Sequence, residues 1–431
     1  MQPVQQNLQD GHSLDLRNIQ GWEQTSHILS QTRHLLSSLT FYDWNCTADL
    51  AEMIHLTALK VLVLESTDRR AVHGVLHMRF TNLEKLWVKV SGDGGIGCSD
   101  ILKQINIPKL RELRLDYWPD EGDYAYIDEF LNHVAKSPSS TSLTSLEIGD
   151  CCEALSAIKA SRYLTNLKRL SLAMETDASA LSTLRLPRLE SLEIGFTDGA
   201  EDPAPTAFNN PYWTSLQKLH ASYLNEHFTC GLKAKEITSI INSATLTNLK
   251  DLQLLGELST NHIAQLMATK KTEQLTRLTL IDILNPNLNL LKLPAASISE
   301  LPQSRLVTLT VCSQQFVGMI ELIARASLTE LNMPHCNLDD PKIGQLSTCA
   351  SLERLQCFRA PFNAITARGV GYITGSLTLG SLRIVDLDEN PIDPEGIALL
   401  AAWMASKGLA EQNITLPDNI KQLSLSDRME Q

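Results

Sequence analysis

The sequence predicts an α/β solenoid, a curved stack of short strand–loop–helix repeats with a parallel β-sheet on its concave face and mixed helices and loops on its convex face. Two observations carry that reading. Leucine fills 71 of the 431 positions, against 9 phenylalanines and 8 tyrosines. A core built so largely from one residue type takes its specificity from periodicity. The second observation is the period itself: a motif L-x-x-L-x-L recurs along almost the whole chain.

The copies begin at Leu36, Leu59, Leu83, Leu110, Leu143, Leu167, Leu189, Leu216, Leu249, Leu275, Leu306, Leu328, Leu352 and Leu382. That is 14 copies, and the 346 residues from Leu36 to Leu382 give a mean spacing of about 27. A partial copy, Leu14-x-Leu16, precedes them, and Ile420/Leu423/Leu425 is a candidate to follow. Positions three to seven alternate with period two, so each copy is a short strand. Its fourth and sixth residues point inward; its third, fifth and seventh face solvent. One such strand cannot bury its apolar side alone, so stability comes from stacking on neighbours.

The return segments come next. Ile127–Ala135, Glu236–Ala244, His262–Thr269, Val317–Ala326, Pro341–Ser347 and Pro394–Ser406 have helical patterns, with Pro341 and Pro394 suited to a first helical turn. Strands stack about 4.8 Å apart and helices about 10 Å, so a layer of strands backed by helices must bend. Residues 1–36 are expected to form a polar tail and an amphipathic cap helix (22–36), residues 37–406 the solenoid, and residues 407–431 a C-terminal cap and tail.

These residues resemble the leucine-rich-repeat proteins, whose longer motif is L-x-x-L-x-L-x-x-N/C-x-L. Two copies match it in full: Leu382…Val385…Leu387…Asn390…Ile392, and Leu328…Leu331…Met333…Cys336…Leu338. The second resembles the cysteine-containing subclass, and the helical returns resemble the ribonuclease-inhibitor-type subclass. The resemblance implies that the Asn or Cys side chain satisfies backbone groups in the descending loop. Thr67, Ser91, Cys151 and Thr197 stand at that ninth position and can do part of the job; Trp118, Glu175, Leu224, Ile283 and Ala360 cannot. Irregular loops are expected in those five repeats.

Composition narrows the function. Lys and Arg total 37 and Asp and Glu 49, a net charge of −12. That balance argues against nucleic-acid binding, which needs a basic surface, and suits a basic protein partner. No basic-then-apolar leader is visible at the start, and the longest apolar run, near 397–402, is far short of the roughly 20 residues of a membrane helix. The nine cysteines are mostly scattered singly and read as reduced thiols. The expected location is cytoplasmic, or inside a host cell after delivery without a cleavable signal, and the expected state is a monomer.

Chemical motifs are few. Gly92-Asp-Gly94-Gly-Ile-Gly97 matches a dinucleotide-binding fingerprint, but every copy here is already strand–turn–helix, and Trp87 and Lys89 leave one face of the strand polar. His73 and His77 have helical spacing without the adjacent Glu of a zinc protease. No C-x-x-C pair, G-x-S-x-G or P-loop occurs. No cofactor, metal or catalytic residue is therefore assigned. The informative surface is the solvent face of the sheet, where exposed aromatics beside charges make interface anchors. Trp87, Arg114, Tyr117, Glu147, Glu193, Phe196, His220 and Tyr223 form the candidate binding set. The expected function is a non-enzymatic protein-interaction scaffold. A bacterial effector that binds host proteins, and an adaptor or inhibitor of an enzyme, are alternatives within that class.

Overall fold

A computed structural model describes residues 8–9, 13–15, 35–42, 56–66, 80–91, 108–118, 125–149, 154–174, 178–196, 208–223, 232–269, 274–282, 305–312, 323–324, 326–409 and 414–415. The chain divides into two compact units, 1–216 and 217–431.

The first unit carries β1 (Leu8–Gln9), β2 (Ser13–Asp15), β3 (Ser38–Tyr42), β4 (Val61–Ser66), β5 (Lys85–Ser91) and β6 (Glu112–Trp118). Then come α1 (Ala125–Lys136), β7 (Ser145–Ile148), α2 (Ala154–Ala160), β8 (Arg169–Met174) and β9 (Ser191–Phe196). Strands β2 to β9 are parallel and pair in chain order, and β1 folds back antiparallel on β2. The register runs Leu14, Leu39, Leu62, Leu86, Leu113, Leu146, Leu170, Leu192, so the fourth position of every copy lies beside its neighbours. From Leu39 onward these side chains are at most 2% exposed. The partial copy at Leu14 is a true strand. The cap helix expected at 22–36 lies almost wholly outside the described residues.

The second unit carries β10 (Lys218–Tyr223), α3 (Ala234–Asn242), β11 (Asp251–Gly256), α4 (Thr260–Ala268), β12 (Arg277–Asp282), β13 (Thr308–Cys312) and β14 (Glu330–Asn332). It continues through α5 (Asp340–Ser347), β15 (Cys357–Arg359), α6 (Ala367–Thr374), β16 (Ile384–Asp386), α7 (Pro394–Lys407) and β17 (Ile414–Thr415). Its strands are also parallel and in order. The rank is Leu219, Leu252, Leu278, Leu309, Leu331, Phe358, Val385, Ile414. The strand after β16 is at Ile414; the candidate copy at Ile420/Leu423/Leu425 lies outside the described residues.

One copy departs from expectation. The frame Leu352/Leu355/Cys357 puts Leu355 at the fourth position, yet Phe358 pairs with Leu331 and Val385. The copy is therefore Leu355…Phe358…Ala360…Asn363…Ile365. It starts 27 residues after Leu328 and 27 before Leu382. Phe358 is buried at 3% exposure, and the solvent-facing fifth position is Arg359 rather than Gln356. Ala360 is not the ninth residue; Asn363 is.

The ninth position then behaves as the longer motif requires. Asn363 Nδ2 donates to the carbonyls of Met333 (2.9 Å), Ala360 and Pro361 (both 3.0 Å), and its Oδ1 accepts from Leu338 N–H at 2.9 Å. Asn390 Nδ2 donates to Ala360, Leu387 and Asp388 carbonyls, and its Oδ1 accepts from Ile365 N–H. Cys336 Sγ donates to Val311 O at 3.1 Å. The backbone confirms the frame independently: the second-position carbonyls of the preceding copy and of this one each accept two N–H groups from the copy that follows. Thr329 O takes Gln356 and Cys357, and Gln356 O takes Arg383 and Ile384.

Helices cover the other side of the core. Asp339 and Asp393 cap α5 and α7 by accepting from Lys342 N–H and Gly396 N–H, with Pro341 and Pro394 in the first turn. Gly408, at φ 63°, ends α7 in the left-handed region. The expected helices near 127, 236, 262, 341 and 394 are present; the one at 317–326 lies mostly outside the described residues. Helices α2 and α6 were not expected. Gly256 permits a close backbone approach, because a Cβ there would lie 2.2 Å from Leu232 O.

Between α3 and α4 sits a buried histidine, His262. Its Nδ1 accepts from Ser259 N–H at 3.2 Å, Ser259 Oγ accepts from His262 N–H, and Nε2 lies 3.2 Å from Thr238 Oγ1. Thr238 Oγ1 itself donates to Ala234 O, so Nε2 is the donor to Thr238 and the ring is neutral. Burial holds its pKa below 6.5, against the opposing pull of the Ala234 and Glu257 carbonyls and the Glu257 charge.

Two predictions follow from these contacts. Asn363→Ala removes four hydrogen bonds, including those to Met333 O and from Leu338 N–H, and is expected to cost on the order of 2 kcal/mol or more, while Gln356→Ala on the exposed rim costs under about 0.5 kcal/mol. Urea denaturation of both variants checks this, and equal midpoints would reject the register. His262 is the pH-dependent element. Because its folded pKa is depressed, its contribution is complete above the unfolded value near 6.5 and is lost as pH falls toward the folded value. Melting curves from pH 8 to 5 should show a steeper acid loss in the native protein than in His262→Gln.

Candidate functional site

On the solvent face of the first unit the fifth positions form a row: Thr40, Val63, Trp87, Arg114, Glu147, Ser171, Glu193. Neighbouring strands place these side chains about 4.8 Å apart, so Trp87, Arg114 and Glu147 meet. The Arg114 guanidinium lies over the Trp87 indole, 4.3 Å from its centroid. Asp116, two residues along β6 on the same face, joins them. Its Oδ2 accepts from Trp87 Nε1 at 3.1 Å and from Arg114 Nε at 3.0 Å. Arg114 Nε is also 3.2 Å from Glu147 Oε1. All four side chains are half-buried.

The charges are unevenly balanced. Burial pushes the Glu147 carboxyl above its ordinary pKa; Arg114 pulls it down, but the Asp116 and Glu193 charges reinforce the rise. Arg114 is thus shared between two carboxylates and cannot fully neutralise either. Glu193, on β9, is exposed and separated from Glu147 by the Ser171 strand. Tyr117 and Phe196 fall at the eighth position of their strands, on β6 and β9; their side chains lie outside the described residues.

The remaining two expected residues belong to the second unit. Tyr223 ends β10, and its side chain is outside the described set. His220 faces solvent in a row with Gln253, Thr279, Thr310, Asn332, Arg359 and Asp386. Its hydrogen-bond partner is the third-position residue Asp251, whose Oδ1 is 3.3 Å from Nε2; Arg277 Nη1 is 3.6 Å from Asp251 Oδ2. Burial alone would raise the Asp251 pKa, but the His220 hydrogen bond and the charges of His220, Arg277 and Lys218 carry it below its ordinary value. Among the described residues His220 bonds only Asp251, which Arg277 also reaches.

Sequence reasoning missed the organising roles of Asp116 and Asp251. The available signal was period two along one strand: Asp116 and Arg114 share a face, as do Lys218 and His220. The glycine-rich segment 92–97, the pair His73 and His77 and the ninth-position residues Thr67, Cys151, Glu175, Thr197, Leu224 and Ile283 fall outside the described residues. Ser91 and Trp118 are described only in their backbone. Among the described residues, no cluster of three His, Cys, Asp or Glu is arranged to hold a metal ion, and no helix is long and apolar enough to cross a membrane.

Aligned leucine ranks, parallel strands backed by helices and ninth-position Asn side chains bonded across copies define the fold class: the chain has the leucine-rich-repeat fold. Among solved structures, the chain is similar to an internalin from Listeria monocytogenes, at 14% identity and a TM-score of 0.38 over 90% of this chain and 88% of that one. It is also similar to an LRR protein of Leptospira interrogans, at 17% and 0.43 over 88% and 84%, and to a Bacteroides fragilis protein, at 12% and 0.33 over 78% and 74%. No family model and no curated protein sequence matches the chain.

The electrostatics give a test. Removing Arg114 removes the one interaction that lowers the Glu147 pKa, so Arg114→Ala should move that carboxyl further above its ordinary value. Carbon-13 NMR titration of the Glu147 carboxyl measures it, and a downward move would contradict the assignment.

Proposed function

We propose that the chain is a non-enzymatic protein-interaction scaffold whose first unit anchors a protein partner on Trp87, Arg114, Asp116 and Glu147. The observation that carries this reading is the locked state of the anchor. The Trp87 ring is held by a hydrogen bond at its nitrogen and a guanidinium on its face, all from strands of a rigid sheet. An aromatic and an arginine already held in place lose little side-chain freedom on binding, which is how a few residues come to dominate an interface. Two carboxylates (Glu147, Glu193) against one Arg114 in the row favour a basic partner surface, as does the net charge of −12. Tyr117 and Phe196, at strand ends of the same unit, extend the surface; His220 and Tyr223 offer a separate contact in the second unit.

The test is capture of partner proteins by the purified chain, native and Trp87→Ala/Arg114→Glu, from bacterial and eukaryotic lysates. The double variant should lose at least tenfold of the capture, equivalent to about 1.4 kcal/mol, while its melting temperature stays within about 2 °C. Undiminished capture by a folded double variant would place the interface elsewhere.

A further inference from the structure

The second unit carries an exposed aromatic ledge that the leucine motif does not require. Three successive copies put His335, Phe362 and Glu389 at their eighth position. All three adopt a left-handed backbone, with φ of 51°, 56° and 51°, a conformation that non-glycine residues seldom take. The loops are tied together, since His335 N–H donates to Pro361 O and Phe362 N–H to Asp388 O. The His335 and Phe362 rings stack at 4.5 Å and 10°. Phe362 nevertheless remains 50% exposed. A large apolar ring is thus held in an uncommon backbone conformation with half its surface in solvent.

The charge around it is one-sided. Arg359, the nearby cation of the sheet face, is engaged with Glu330 and with Asn332 Oδ1. Asp386, Asp388 and Glu389 have no ion-pair partner among the described residues, and Asp388 Oδ1 is buried without a hydrogen-bond partner. Glu389, next after Phe362 in the eighth-position rank, is exposed and adds a carboxylate beside the ring.

We propose that this ledge binds an arginine side chain on an extended basic segment of a protein partner, with the guanidinium stacked on Phe362 and paired with Glu389. The planar guanidinium fits both halves of the site. It stacks on an aromatic face and presents forked donors to a carboxylate, whereas a lysine ammonium is a hydrated point charge that does neither as well. The ledge is independent of the Trp87 anchor in the first unit, and either can fail without the other.

The experiment uses the full chain labelled at histidine Cε1, with the His335 resonance as reporter. The probe is a blocked pentapeptide, Gly-Gly-Arg-Gly-Gly, beside the same peptide with citrulline or lysine at the centre. The arginine peptide should shift the His335 signal saturably in the millimolar range. The citrulline peptide should bind at least tenfold more weakly, and the lysine peptide severalfold more weakly. Phe362→Ala and Glu389→Gln should each weaken the arginine peptide at least fivefold at unchanged melting temperature, and Trp87→Ala should leave it unaltered. Absence of a saturable shift, equal binding of the citrulline or lysine peptide, or full affinity in both ledge variants would overturn the proposal.

Discussion

The interaction on which everything else rests is the sharing of one backbone carbonyl by two N–H groups of the next copy, at the entrance to a strand. Lys60 O receives Glu84 and Lys85; Lys168 O receives Glu190 and Ser191; Lys250 O receives Thr276 and Arg277. This contact sets the register before any side chain is considered. A shift of one residue would turn every leucine from the core to solvent, so backbone pairing and apolar burial enforce the same alignment. Once the register is set, the fifth positions must form a row and the ninth positions must form a ladder. Site and scaffold are therefore products of a single periodic constraint.

That constraint explains which features could be read from residues alone. Thirteen of the fourteen frames stand where the leucines put them, because alternation at the fourth and sixth positions has no competing solution. The copy at Leu355 was obscured by Leu352, which is buried in a 3-10 turn just upstream. A 3-10 turn repeats every three residues, the same spacing as the first and fourth positions of the motif, so two frames compete. Asn363 breaks the tie, because only one frame gives it a ladder to join. Helix α6 was hidden for another reason. It contains Gly369 and Gly371, poor helix formers; a Cβ at Gly369 would come within 2.5 Å of Asp340 Oδ1 and 2.7 Å of Ile365 Cγ2. Packing against the previous copy overrides local propensity there.

The candidate site was half legible. Period two identified Trp87, Arg114 and Glu147 as neighbours on the solvent face, and the structure joins them. It could not show that Asp116 is the hub, since whether two carboxylates or one engage a guanidinium depends on side-chain geometry. His220 illustrates the same limit: its row neighbour is Gln253, yet its bond is to Asp251, one row nearer the strand entrance. Sequence spacing gives the row, and side-chain length decides which residue across the rows is reached.

The ninth-position side chains have a directional consequence. Cys336, Asn363 and Asn390 each reach back to a carbonyl of the copy before them, and the two asparagines also accept an N–H from it. Each coil in this stretch is finished by its successor. On a ribosome, the coil that begins at Leu328 cannot close its polar loop until Asn363 has emerged, nor the coil at Leu355 until Asn390 has. Assembly here proceeds one coil behind synthesis, and loss of the last coil would leave the preceding one open to water.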